Sequence, residues 1–193
     1  MPFLMTIFLM LFAVTCFTAY SQPADEQAGI NPAILKKATA IEADFTQVRH
    51  FSELDYDMTV KGHMSLKPGK ELVWRTDSPM KTVCTMTPKG LTLWDAETKK
   101  TNTVSAKGNL WLATIFGIQD KLLAGDLKAL EKQFIIEWKG KTTILLFPKE
   151  EILAGMFKSI QITFNDGMDA VSGIVFTEKS GDTIGISFTN VRN

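Results

Sequence analysis

Met58-Thr59-Val60-Lys61-Gly62-His63-Met64-Ser65-Leu66-Lys67-Pro68-Gly69-Lys70-Glu71-Leu72-Val73-Trp74 is the stretch that decides the fold. Met58, Val60, Met64 and Leu66 fall on one parity with Gly62 among them, while Thr59, Lys61, His63 and Ser65 fall on the other. Alternation with a period of two describes a strand that is dry on one side and wet on the other. Lys67-Pro68-Gly69-Lys70 turns the chain back, and Leu72 and Trp74 then share a face again. A large antiparallel sheet with one apolar face is predicted.

Working outward, strands are expected at about 44–51, 56–66, 71–77, 81–87, 91–95 and 99–104. Their connections are short and rich in turn residues, which favours an antiparallel meander. A parallel sheet would need a helix between strands, and none is available here. After Lys107-Gly108-Asn109, the run from Leu110 to Phe116 is apolar nearly all round. A helix of that composition must be covered by protein or by lipid, because it offers water no polar face. A second helical stretch is expected after Gly117, from Gln119 to Glu131, with Asp126 placed to cap its second half. Strands return at about 133–139 and 142–148, and Glu150 to Phe157 reads as a short helix or an irregular crossover. The closing strands, about 159–164, 170–178 and 183–189, are separated by Asn165-Asp166-Gly167 and Gly181-Asp182, both hairpin signals. Upstream, Asn31-Pro32 opens a helix whose apolar stripe, Ile34, Leu35, Ala38 and Ile41, carries it to about Ala43.

The chain has 193 residues, with 21 basic side chains against 21 acidic ones. That length suits one domain with a sizeable core, and the balance gives no field to gather nucleic acid or an anionic surface. Phe3 to Phe17 is almost unbroken apolar sequence and is followed by Ala19-Tyr20-Ser21, a small-x-small cleavage pattern. Residues 1–21 are therefore read as a signal peptide cleaved after Ser21, and 22–193 as a single domain. An uncleaved anchor is the alternative, since no Lys or Arg precedes Lys36. Lipidation of Cys16 is another, although Thr15 stands where Gly, Ala or Ser is preferred. With cleavage after Ser21, Cys84 is the one remaining cysteine, a small hydrophobe rather than a nucleophile.

A search for chemistry finds no constellation. His50 and His63 are the only histidines and form no metal-ligand spacing. No nucleophile elbow and no phosphate-cradling glycine loop occurs. No enzyme activity, no metal and no cofactor are expected. What the sequence offers is surplus apolar surface, and two readings of it stay open. Sheet face and helices bury one another as a closed core, or a curved sheet leaves an apolar hollow beneath the helices.

The ordered set Ala43-Asp44-Phe45-Thr46-Gln47, Gly62, Lys67-Pro68, Trp74 near Pro79, and Lys89-Gly90-Leu91-Thr92-Leu93-Trp94 resembles the outer-membrane lipoprotein carrier family, LolA. The later strands through Gly181-Asp182 and Ser187 to Asn190 are similar too, so the resemblance covers most of the mature chain. It implies a mainly β fold with helices: a curved antiparallel half-barrel of about 10–11 strands covered by a helical lid. It implies a periplasmic, monomeric carrier that shields acyl chains of lipoproteins and moves them from the inner to the outer membrane. An inner-membrane ATP-driven transporter would load it and an outer-membrane acceptor would unload it. The alternatives are an outer-membrane-anchored acceptor resembling LolB, held by lipid on Cys16, and a carrier of another acylated lipid. On this resemblance Phe45, Leu66, Leu72, Trp74 and Trp94 line the sheet side, with Met58, Met64 and Met86 as adaptable wall. Leu110, Trp111, Ile115 and Phe116 belong to the lid. Lys67 stands where the family has an Arg that latches the lid; lysine brings a point charge, not a planar fork. Glu at Leu72 or Phe116 is expected to abolish cargo binding with the fold kept.

Overall fold

The computed structural model describes residues 40–107, 116–118, 121 and 127–192. Eleven strands follow in chain order: β1 Ile41–Phe51, β2 Tyr56–Lys67, β3 Glu71–Ser78, β4 Thr82–Thr87, β5 Gly90–Asp95, β6 Thr101–Ser105, β7 Phe134–Lys139, β8 Thr143–Pro148, β9 Phe157–Phe164, β10 Val171–Glu178 and β11 Thr183–Arg192. Two short helices interrupt them, α1 Leu127–Leu130 before β7 and α2 Glu151–Met156 before β9. Residues 116–118 and Lys121 are also helical.

All eleven strands form one open sheet in the order β6-β5-β4-β3-β2-β1-β11-β10-β9-β8-β7, and every pairing is antiparallel. It consists of two meanders joined where the first strand pairs with the last. Each meander closes by tight turns of the kind its sequence prescribes. At Lys67–Lys70, Pro68 takes the second position, Gly69 has φ +70°, and Lys70 N–H donates to Lys67 C=O at 2.9 Å. A sheet this wide accumulates twist and curls, and its apolar side becomes the inner face.

Register shows how alternation builds that face. Leu66, Leu72, Met86 and Leu91 pair in succession across β2, β3, β4 and β5. Ile144, Ile162, Ile174 and Ile186 do the same across β8, β9, β10 and β11. Gly62 sits where β2 bulges against β3: a Cβ there would lie 1.8 Å from the Arg75 carbonyl oxygen, so only glycine admits this approach.

β6 and β7, neighbours in sequence, are opposite edges of the sheet. The chain between them must therefore pass from one edge to the other. Its described apolar residues, Phe116, Ile118, Leu127 and Leu130, are buried in the same core cluster as Phe45, Leu66 and Ile160.

Two expectations need correction. The helix predicted to reach Ala43 does not: Ile41 and Ala43 belong to β1, paired with Leu66 and Met64. Ile41 fits both a helical stripe through Ala38 and a strand parity through Ala43 and Phe45, and pairing with β2 decides between them. The rest of that helix lies outside the described residues. Gly117, expected between two helical stretches, is itself helical together with Phe116 and Ile118. The stretch from Glu150 to Phe157, read as helix or crossover, contains α2.

Candidate functional site

The centre of the inner face is aromatic. Phe45 on β1 is opposite Gly62 on β2 and Phe188 on β11. Trp74 on β3 is opposite Met64, one inner position along. Because Gly62 carries no side chain, Trp74 reaches diagonally across it, bringing its ring centroid 4.1 Å from that of Phe45. The Trp74 ring also meets Phe188 edge-on at 6.2 Å.

The sheet-side residues named from the sequence separate into two groups. Phe45, Leu66 and Leu72 are fully buried on the inner face and Trp74 is half-buried there. Met58, Met64 and Met86 share that face, Met58 half-buried at its margin. Trp94 is not part of it. It pairs with Val83 and Thr101 on the outer face and is 40% exposed. Its neighbours Leu91 and Leu93 hold the inner positions of β5, as the period of two requires. Of the lid residues, Leu110, Trp111 and Ile115 lie outside the described residues, and Phe116 is helical and buried in the core. Lys67, at the end of β2, is exposed on the opposite parity from Leu66, with its Nζ 3.5 Å from Glu71 across the turn.

The second meander supplies half of the wall and was not named as site. Ile144, Leu146, Ile160 and Ile162 are fully buried, while Phe176 and Trp138 stay half-buried against them. The alternation of Ile160, Ile162 and Phe164 was the available signal. Half-burial recurs around the face, at Trp74, Leu91, Ile136 and Ile186 as well. Large apolar groups are thus packed on one side and left open on another, Trp74, Phe176 and Ile186 on interior strands and Ile136 and Trp138 on the edge strand β7.

Titratable groups are sorted by face. Cys84, inner and paired with Trp74 and Leu93, has its thiol pushed up to about 12 by burial, so it is inert at neutral pH. Both histidines are outside, His50 Nδ1 at 2.8 Å from Asp57 and His63 between Asp44 and Asp77. Hydrogen bonds from Asn190 and then His63 hold the Asp44 carboxyl below its usual range. Among the described residues, no group of three or more His, Cys, Asp or Glu is placed to hold a metal ion.

One inner-face feature escaped the sequence reading. Arg49, on the parity of Phe45, is buried to 1% exposure. Its Nη2 donates to Glu178 Oε2 at 3.0 Å and to Asp182 Oδ2 at 3.3 Å. Asp182 accepts further from the Ser52 N–H at 2.9 Å and hydroxyl at 3.0 Å. The signal was a charge at an inner position of an alternating strand.

The family model described as outer membrane lipoprotein carrier protein LolA matches residues 36–193. An outer-membrane lipoprotein carrier protein of Pseudomonas putida strain GB-1 is 24% identical over 181 residues, covering 93% of this chain and 83% of the relative. One from a second strain of that species is 24% identical over 176 residues, covering 91% and 81%. A solved LolA superfamily protein from Nitrosomonas europaea overlays with a TM-score of 0.45 at 7% identity, covering 83% of this chain and 89% of that one. The match of the family model over 36–193 spans both meanders and the connection between them, and this chain belongs to the LolA family of outer membrane lipoprotein carrier proteins.

Proposed function

We propose that this protein carries the acyl chains of lipoproteins through the periplasm, from the inner to the outer membrane. It holds them against the inner face of the sheet, beneath the segment that crosses from β6 to β7. The observation that carries this reading is the half-burial of large inner-face groups on interior strands, Trp74 on β3 and Phe176 on β10 among them. Large aromatic groups left partly open within a continuous apolar face form a wall that an apolar ligand can cover. Here Phe116, Ile118, Leu127 and Leu130 act as a lid, sharing the core while it is closed and giving way to cargo. An acyl chain is uncharged and flexible, so a wall of aliphatic, aromatic and thioether groups suffices.

In this reading residues 1–21 direct export and are removed after Ser21, an inner-membrane ATP-driven transporter loads the carrier, and an outer-membrane acceptor receives the cargo. A latch at Lys67 would first have to leave Glu71, its partner across the turn.

The test is release. The purified mature protein, added to inner-membrane vesicles holding an acylated lipoprotein and the transporter with ATP, should take the lipoprotein into the soluble fraction. An unacylated lipoprotein variant should not be bound. Equal binding of both forms would overturn the assignment. Intact mass separates carrier from acceptor, since Gln22 at the N-terminus fits the shuttle and an acylated Cys16 would replace it by the anchored form.

A further inference from the structure

At the β1–β2 hairpin end, the apolar inner face stops at a charge. Arg49 is opposite Met58 on β2 and Ile184 on β11, both inner positions, and lies about 13 Å along β1 from Phe45 at the usual strand rise. Its guanidinium is stacked over the Phe51 ring at 4.9 Å. Of its donors, Nη2 carries the whole interaction with Glu178 and Asp182. Among the described residues, Nε and Nη1 are buried with no partner, and so is Glu178 Oε1. Buried donors without acceptors are rare, and those of a charged group are costly. An arginine needed only to tie β1 to the β10–β11 hairpin could turn its fork to use more than one nitrogen.

Charge decides what those donors can take. Two carboxylates already face one guanidinium, at 3.0 and 3.3 Å. A phosphate or a free carboxylate would put a further negative charge beside Asp182, in a setting that screens it poorly. An uncharged carbonyl oxygen accepts the same hydrogen bond without that repulsion. The wall leading away from Arg49 passes the half-buried Gln47, opposite Val60 and Ile186, and is then apolar from Phe45 to Ile41, so the carbonyl belongs to a molecule whose other end is hydrocarbon.

We infer that Arg49 is the polar end of the acyl-binding face, donating to the ester or amide carbonyl that joins an acyl chain to its carrier molecule and so fixing how far along the face the chain runs. This rests on the acyl-carrier reading and names the part of the ligand that Arg49 recognises. Glu178 and Asp182 position the guanidinium.

The test compares a 1-monoacylglycerol with its 1-O-alkyl ether of equal chain length, which lacks only the carbonyl, and with the free fatty acid. Each displaces a fluorescent fatty-acid probe from the mature protein. The ester should bind at least about tenfold tighter than the ether, the scale of a hydrogen bond from a charged donor. In the combined variant Arg49→Met, Glu178→Gln, Asp182→Asn, which leaves no buried charge behind, the ester should fall to the level of the ether. Equal binding of ester and ether to the wild type would overturn the role of Arg49 and leave the carrier reading intact. An ester preference that survives in the variant would overturn it too. Absence of saturable binding by any of the three would remove the carrier reading and this inference with it. Tighter binding of the fatty acid, lost in the variant, would make the site anionic and refute the neutral acceptor. Should the variant fail to fold, the wild type decides alone: the ester must shift the Arg49 Nε–H resonance and the ether must not.

Discussion

Trp74 and Trp94 are the same residue type on opposite faces of one sheet, and replacing each by Glu asks whether the inner face is a binding wall. Trp74 is half-buried beside Phe45 and Phe188, whereas Trp94 faces outward. With the site empty, a carboxylate at 74 reaches water through the side of the indole that is now open. The cost to the fold is then the lost aromatic contact and part of a burial term, about 1–3 kcal/mol in total. Against a total stability of about 5–15 kcal/mol the domain stays folded, with a melting point a few degrees lower. Loading removes that water. An acyl chain laid over the carboxylate forces it to neutralise or to sit unpaired in hydrocarbon, an effective penalty of several kcal/mol per ion. Even about 3 kcal/mol weakens affinity roughly 100-fold. Fluorescent fatty-acid displacement with purified protein measures it, with circular dichroism as the check on folding. Trp74→Glu should lose at least two orders of magnitude, and Trp94→Glu should stay within about twofold of the wild type. A folded Trp74→Glu that binds as tightly as Trp94→Glu would refute the wall. Leu72 and Phe116 do not serve this purpose, contrary to the expectation from sequence. Leu72 is 1% exposed and Phe116 8%, so Glu at either is buried even in the empty protein and threatens the fold itself.

Gly62→Ala forces a Cβ onto the Arg75 backbone and should lower the unfolding free energy by about 1–3 kcal/mol, read from the urea midpoint; a midpoint within error of the wild type would contradict the close approach. The Glu178 carboxyl is raised by burial, so its contribution to stability is fully present below its unfolded value and fades as pH rises through its folded one. Glu178→Gln should therefore gain stability relative to the wild type as pH climbs from about 4 across that window; a difference that stays flat with pH would show no such shift. Cys84, with its thiol pushed up to about 12, should be alkylated by iodoacetamide at pH 8 roughly a thousandfold more slowly than an ordinary exposed thiol. Intact mass follows the reaction, bound acyl ligand should slow it further, and rapid labelling of the native protein would place the thiol elsewhere than on the inner face.

Much of the sheet was legible because alternation and turn chemistry agree locally. Met58 to Leu66 sets one face by parity, Pro68-Gly69 sets the turn, and nothing distant has to be known. The start of β1 was not legible in the same way. Ile41 satisfies a spacing of three from Ala38 and of two from Ala43, and only the partner strand, whose Leu66 pairs with it, removes the ambiguity. Trp94 failed for a different reason: the resemblance placed it on the wall, but Leu91 and Leu93 already held the inner parity. Arg49 was invisible as a site because its carboxylate partners lie 129 and 133 residues away in sequence. Local pattern marks it as an anomaly; only the closing of β1 onto β11 beside the β10–β11 hairpin says what the anomaly meets.

That closure also explains why the β6–β7 connection and the sheet share one core. With β1 and β11 paired at the centre, the free edges β6 and β7 fall at the two extremes, and the connection between them has to cross the sheet. Crossing on the inner side, it buries Phe116, Ile118, Leu127 and Leu130, which at about 1.5–3 kcal/mol each stabilise this packing by roughly 6–12 kcal/mol. An acyl chain of about 14 methylenes, at about 0.8 kcal/mol each, gains roughly 11 kcal/mol on leaving water. The two quantities are of the same order, so exchanging the protein's own side chains for a ligand's is nearly balanced on the proposed reading. A bilayer offers the chain the same gain with no side chains to displace, so on the proposed reading loading from a membrane is uphill and has to be driven. On that reading a driven donor fills the carrier, and an acceptor that binds the chain without such an opening cost empties it. A fully packed core would bind nothing, and a permanently open one would expose its wall to every apolar surface it met.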